Sequence, residues 1–276
     1  MSNEQKAVEY AYKNRERFTR ELSEFIKIES ISTDDEYKAQ VEKAAEWAAE
    51  HLRQIGIENV KLMPTGGHPV VYGEWLKKPG APTVLIYGHY DVQPVDPIEL
   101  WETPPFDATI KGDYLFARGT SDMKGQVMAT LNAVESIMKT GDFPVNLKFM
   151  LEGEEEIGSQ NMGTFLPKHK DLFKADFCLN PDAGAISADE PTITFSLRGL
   201  AYFEVHVYGP SRDLHSGLFG GTVHNPAQAL AELIAGMHDA NGTITLPGFY
   251  DSVRIVTDQE REDTAKLPTT PESYLQ

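Results

Sequence analysis

Four short stretches of this 276-residue sequence gather residue types that do chemistry. Gly88-His89-Tyr90-Asp91-Val92-Gln93-Pro94 follows the apolar run Thr83–Tyr87 and offers an imidazole and, two residues later, a carboxylate. Arg118-Gly119-Thr120-Ser121-Asp122-Met123-Lys124-Gly125 sets Asp122 just ahead of a helical pattern, where capping that helix is its alternative use. The run Leu147–Leu151 leads into Glu152-Gly153-Glu154-Glu155-Glu156-Ile157-Gly158-Ser159. Carboxylates this dense repel one another unless water or a cation relieves them. Asp182 closes the series, after the apolar run Phe177–Leu179. Taken singly, each acid reads as well as a solvated loop charge. Read jointly, one imidazole with several carboxylates is a donor set for zinc, manganese or cobalt, and a shared carboxylate allows a two-metal centre about 3.5–4 Å across.

Joint use requires that these stretches meet, and the elements around them provide for that. Helical spacing predicts two amphipathic helices over residues 5–28 and 38–55, the second stopped by Gly56, and a third over Gln126–Met138. Short apolar runs at Val60–Met63, Pro69–Trp75, Thr83–Tyr87, Leu147–Leu151 and Phe177–Leu179 alternate with these and read as strands. The predicted fold class is α/β, with a mixed, mostly parallel sheet covered by helices on both faces. Parallel strands share one carboxyl edge, and there His89, the glutamate run and Asp182 would converge.

From Arg198 the texture changes. Ala201–Tyr208 alternates in the manner of a half-exposed strand, and Pro226 opens a helical pattern through Leu230, Leu233, Ile234 and Met237. We therefore divide the chain into residues 1–197, a catalytic-type α/β domain, and residues 198–276, an incomplete α+β domain.

Composition narrows the function classes. Hydrophobic residues make up 41% and charged residues 24%, as in an ordinary globular protein, and the formal charge of −17 opposes nucleic acid and anionic membranes as partners. One cysteine, Cys178, excludes an internal disulfide and a thiolate metal cluster. With no signal-like segment at the start and no run of about 18 apolar residues, the expectation is a cytoplasmic, unprocessed protein.

The same blocks, with Pro181-Asp182 and with Arg198-Gly199 and Asp213-Leu214-His215-Ser216-Gly217 downstream, resemble the co-catalytic metallohydrolases of peptidase family M20. Carnosinase, cytosolic nonspecific dipeptidase, carboxypeptidase G and aminoacylase belong to that family. The resemblance spans roughly Arg20 to Asp251, and its His-Tyr-Asp-Val-Gln-Pro form is most similar to the dipeptidase and carnosinase branch. It implies a zinc-exopeptidase-like fold with a lid or dimerisation domain. It further implies two divalent ions, zinc foremost with manganese or cobalt as alternatives, with His89, Asp122 and Asp182 on one ion and Glu156 on the other, which Asp122 bridges. Asp91 would orient His89, Glu155 would be the general base for the attacking water, and the Asp122–Met123 bond would be cis. His215 would reach from one subunit of a homodimer to steady the oxyanion in the other. The expected reaction is hydrolysis of a dipeptide with a free C-terminal carboxylate, and the expected partner a small peptide. Relatives of this family carry a last metal-binding histidine and a substrate-carboxylate arginine beyond the matching region, so the sequence reading also holds open a catalytically silent association module and an N-acyl-amino-acid amidohydrolase. It further expects a broad, low-temperature melting transition.

Overall fold

The computed structural model describes residues 2–187, 190, 192–194 and 196–269. In chain order its elements are α1 (Asn3–Ile26), α2 (Lys38–Ile55), β1 (Glu58–Met63), β2 (Val70–Trp75), β3 (Thr83–His89), β4 (Thr109–Lys111), β5 (Tyr114–Phe116), α3 (Lys124–Thr140), β6 (Asn146–Glu152), α4 (Met162–His169), β7 (Phe177–Leu179), α5 (Ser216–Phe219), α6 (Pro226–Ala235) and α7 (Asp258–Ala265). Residues 1–185 and 186–276 form two compact units.

In the first unit, a capping box starts α1: the Ser2 hydroxyl accepts from the Gln5 amide while the Gln5 side chain accepts from the Ser2 amide. Gly56 ends α2 at φ 98°, a left-handed conformation that costs glycine little. The main sheet runs β1-β2-β6-β3-β7. Its first two pairings are antiparallel, and β6, β3 and β7 are parallel, so the half carrying the chemical turns is the parallel half. Side chains alternate across it. Val71, Phe149 and Leu151 join Val41, Ala45, Leu52, Val127 and Leu131 from the helices in one core, while Val70, Tyr72 and Met150 pack on Met162, Phe165 and Phe173 on the other face.

The two ends of the parallel half differ. At the starting end, the Asn146 side chain donates to the carbonyls of Lys78 and Ala81 at 2.8 and 3.1 Å and accepts from the Lys78 amide at 2.9 Å, clasping the loop that feeds β3. At the finishing end lie His89, Glu152 and the turn after β7. Beside His89 runs the segment after α1: Ser30 Oγ donates to the Tyr90 carbonyl at 2.6 Å, Ile31 bridges Val92, and the Val92 amide donates to the Ser30 carbonyl at 2.9 Å. Lys124, fully buried, donates to the Phe25 and Ile28 carbonyls at 3.1 and 2.7 Å and ties the start of α3 to the end of α1.

The second unit departs from the sequence reading. Ala201–Tyr208 forms no strand, and no named strand lies in residues 186–269 among the described residues. The alternation is present, but a strand exists only through ladder bonds to a neighbour. Helix α6 begins at Pro226, capped by Asn225, and stops at Ala235 before Met237.

Candidate metal centre

Strand β3 ends on His89, which is fully buried and hydrogen-bonds from both ring nitrogens. Its Nδ1 lies 3.1 Å from the Asp91 backbone oxygen and 3.3 Å from Asp91 Oδ1. Its Nε2 lies 3.1 Å from Asp122 Oδ1, 3.7 Å from Asp182 Oδ2 and 4.0 Å from Glu155 Oε2. Asp122 comes from the turn before α3, Glu155 and Glu156 from the turn after β6, and Asp182 from the turn after β7. Two groupings have ligand atoms close enough to share a cation: His89 with Asp122 and Asp182, and His89 with Glu155 and Glu156.

Local structure explains the aim of each. Met123, not Asp122, stands at the N-cap of α3, with no side-chain cap bond, which corrects the capping alternative and leaves Asp122 free to face His89. The Asp122–Met123 peptide bond is cis. A Cβ at Gly125 would run into the Thr120 carbonyl, so the close turn around Asp122 needs glycine there. The four glutamates at and after the end of β6 divide. Glu152 accepts from Tyr87 and Ser159, and the buried Glu154 accepts from the His68 amide and the Asn161 side chain, so both carboxylates are taken up by other donors. Glu155 and Glu156 remain at the cluster, Glu156 taking a 2.6 Å hydrogen bond from Gln93.

The charge balance calls for a cation. Loss of water pushes the Glu155, Glu156 and Asp182 carboxyls above their usual range, and repulsion from Asp122 adds to each shift. Burial disfavours a charged His89, yet the hydrogen bond and charge of Asp91, with Glu155 and Asp182, outweigh it and push the imidazole up to about 9. A proton on His89 thus serves the carboxylates as a divalent ion would. Asp91 Oδ1, buried without a well-aligned hydrogen bond, faces the same ring. Imidazole, several carboxylates and a further carboxylate behind the imidazole fit a divalent ion.

His215 lies in the second unit, exposed at the start of α5, where its Nδ1 accepts from the Gly217 amide at 3.0 Å. Sequence reasoning missed Ser32, whose Oγ donates to Asp91 Oδ2 at 2.6 Å. Nothing in its spacing marks it, since it lies far from the motif it supports. Gln93 stood inside a recognised block without a role.

The profile of Peptidase family M20/M25/M40 matches residues 85–264. The chain belongs to this family. Among M20 relatives, the Cys-Gly metallodipeptidase of Schizosaccharomyces pombe is 35% identical over 270 residues, covering 92% of this chain and 56% of the relative. The Beta-Ala-His dipeptidase of Homo sapiens is 35% identical over 271 residues, covering 93% and 54%. The solved dipeptidase Dug1p of Saccharomyces cerevisiae superposes with a TM-score of 0.76 at 27% identity, covering 99% of this chain and 61% of that one. The chain therefore spans about half the length of the curated M20 relatives it matches.

Proposed function

We propose that this chain carries the metal-binding face of an M20 dipeptidase that hydrolyses dipeptides with a free C-terminal carboxylate. The observation that supports it most is the meeting of His89, Asp122, Asp182, Glu155 and Glu156 at one sheet edge of a chain in this family. His89, Asp122 and Asp182 would hold one zinc ion, with Asp122 and Glu156 serving a second. Residues 1–197 form the catalytic domain in this reading, and residues 198–276 belong to a lid domain that pairs in a homodimer and presents His215. A cytoplasmic location fits the single cysteine, and no helix among the described residues is long and apolar enough to cross a membrane.

Divalent ions at this face would supply Lewis acidity toward a peptide carbonyl and ease ionisation of water. The chain's own groups do the rest. The Asp91 backbone oxygen, with its carboxylate beside it, keeps a proton at His89 Nδ1, so that with an ion bound Nε2 would offer its lone pair on the side of Asp122 and Asp182. Glu155, half-exposed and 4.0 Å from that nitrogen, accepts the proton of the attacking water on a carboxylate oxygen. The same proton then passes to the amine nitrogen as the C–N bond breaks.

A zinc-loaded preparation assayed on Cys-Gly, β-Ala-His and a panel of N-acyl amino acids tests the reading. Dipeptide cleavage lost to chelator is the expected result. Glu155→Gln should lower kcat by about 10²–10⁴-fold with bound zinc, read by mass spectrometry, unchanged. Full activity in that variant would remove Glu155 from its role, and cleavage confined to N-acyl amino acids would reassign the substrate.

A further inference from the structure

Asp91 makes more contacts than orienting one imidazole requires, and those contacts lead to a residue outside every motif. Its Oδ1 lies 3.3 Å from His89 Nδ1, while its Oδ2 accepts from the Glu156 amide at 3.1 Å and from Ser32 Oγ at 2.6 Å. One carboxylate therefore joins the end of β3 at His89 to the turn that carries Glu155 and Glu156. A carboxylate turns freely about its Cβ–Cγ bond, and the donors held on one oxygen set the angle at which the other oxygen meets the imidazole. Of the two donors on Oδ2, the Glu156 amide belongs to the turn being positioned. Ser32 alone is anchored elsewhere, on the segment held beside β3 by backbone contacts, the Ile31–Val92 bridge and the Val92 amide's bond to the Ser30 carbonyl.

Resting on the metal-centre reading above, we infer that Ser32 is a positioning residue: its hydroxyl fixes the rotation of the Asp91 carboxylate and through it the aim of His89 and Glu156 at a bound divalent ion. The hydroxyl is buried and, among the described residues, makes no other hydrogen bond, so its proton is committed to Asp91. Ser30, two residues earlier, also has a buried hydroxyl, but it donates to a backbone carbonyl and touches no carboxylate. That makes it the matched control.

The test compares the unaltered chain with Ser32→Ala, Ser32→Thr and Ser30→Ala by two readouts. Zinc affinity is measured by competition with a chromophoric chelator. The His89 Nδ1–H proton resonance is followed by NMR in the metal-free chain. Outer partners of metal ligands are worth about 10–100-fold in affinity, and we expect Ser32→Ala at the lower end, about 10-fold weaker, with a broadened or lost Nδ1–H resonance. Ser32→Thr, which keeps the hydroxyl, should restore both, and Ser30→Ala should stay within about twofold of the unaltered chain. Affinity and resonance unchanged in Ser32→Ala would overturn the inference, as would an equal loss in Ser30→Ala. If the unaltered chain bound no zinc while Ser32→Ala still lost the Nδ1–H resonance, the metal reading would fall and the positioning of His89 by Ser32 would stand.

Discussion

Glu154 and Glu155 are chain neighbours with opposite duties. Glu154 is buried and holds the His68 amide and Asn161, whereas Glu155 stays half-exposed beside His89. Their clustering was legible in the sequence because repulsion on that scale demands relief. Which glutamate turns inward was not, since it depends on donors at His68, Tyr87 and Asn161 that only folding brings near. His51 gives the same lesson from the other side. It lies on α2, buried and stacked on Trp47 at 5.0 Å, with its Nε2 unpartnered. Burial holds its imidazole below the usual range, against the opposing pull of Glu21 and Glu135, with Arg17 adding to the depression. The unfolded chain thus binds this proton more readily than the folded one. The neutral histidine's contribution is complete above the unfolded value of about 6.5 and is lost as pH falls from there through the lower folded value. His51→Phe keeps the stack without the proton. Its melting temperature should fall less than that of the unaltered chain between pH 7 and 5, and parallel curves would show that His51 does not titrate on unfolding.

At the scale of elements, the tight turn from Gly119 to Gly125 determines where Asp122 points. Gly125→Ala would push a methyl group into the Thr120 carbonyl, and we expect about 1–3 kcal/mol of destabilisation with weaker zinc binding. Gly163→Ala supplies the contrast, because its Cβ would meet open space within α4 and should stabilise by about 0.4–1 kcal/mol. Urea midpoints for both variants check the pair, and equal shifts would mean that the turn tolerates the methyl group. Helices α1, α2 and α3 and the strands β2, β3 and β6 were readable because each buries a face within the first unit, whereas β1, only partly buried, and the exposed β7 were readable from their short apolar runs alone. Ala201–Tyr208 carries the same kind of signal without a neighbouring strand, so its pattern alone could not make it one.

Across the molecule, the described residues of unit 186–276 include none that is buried, while unit 1–185 has two packed cores. Tyr202, Phe203 and Tyr208 are each nearly 90% exposed, at 89%, 88% and 88%. Hydrogen exchange should therefore be slow in β3 and β6 and fast over residues 196–215. Strong protection of Ala201–Tyr208 in the isolated chain would show that this segment finds a strand partner. The first unit also keeps its chemistry at one end of the parallel strands and the Asn146 clasp at the other. In that clasped loop Pro79 is exposed, beside Lys78, whose backbone is held on both sides by Asn146. A fluorophore or surface tether attached there would report on or immobilise the protein from the side opposite to its carboxylates, leaving the approach to His89 unobstructed.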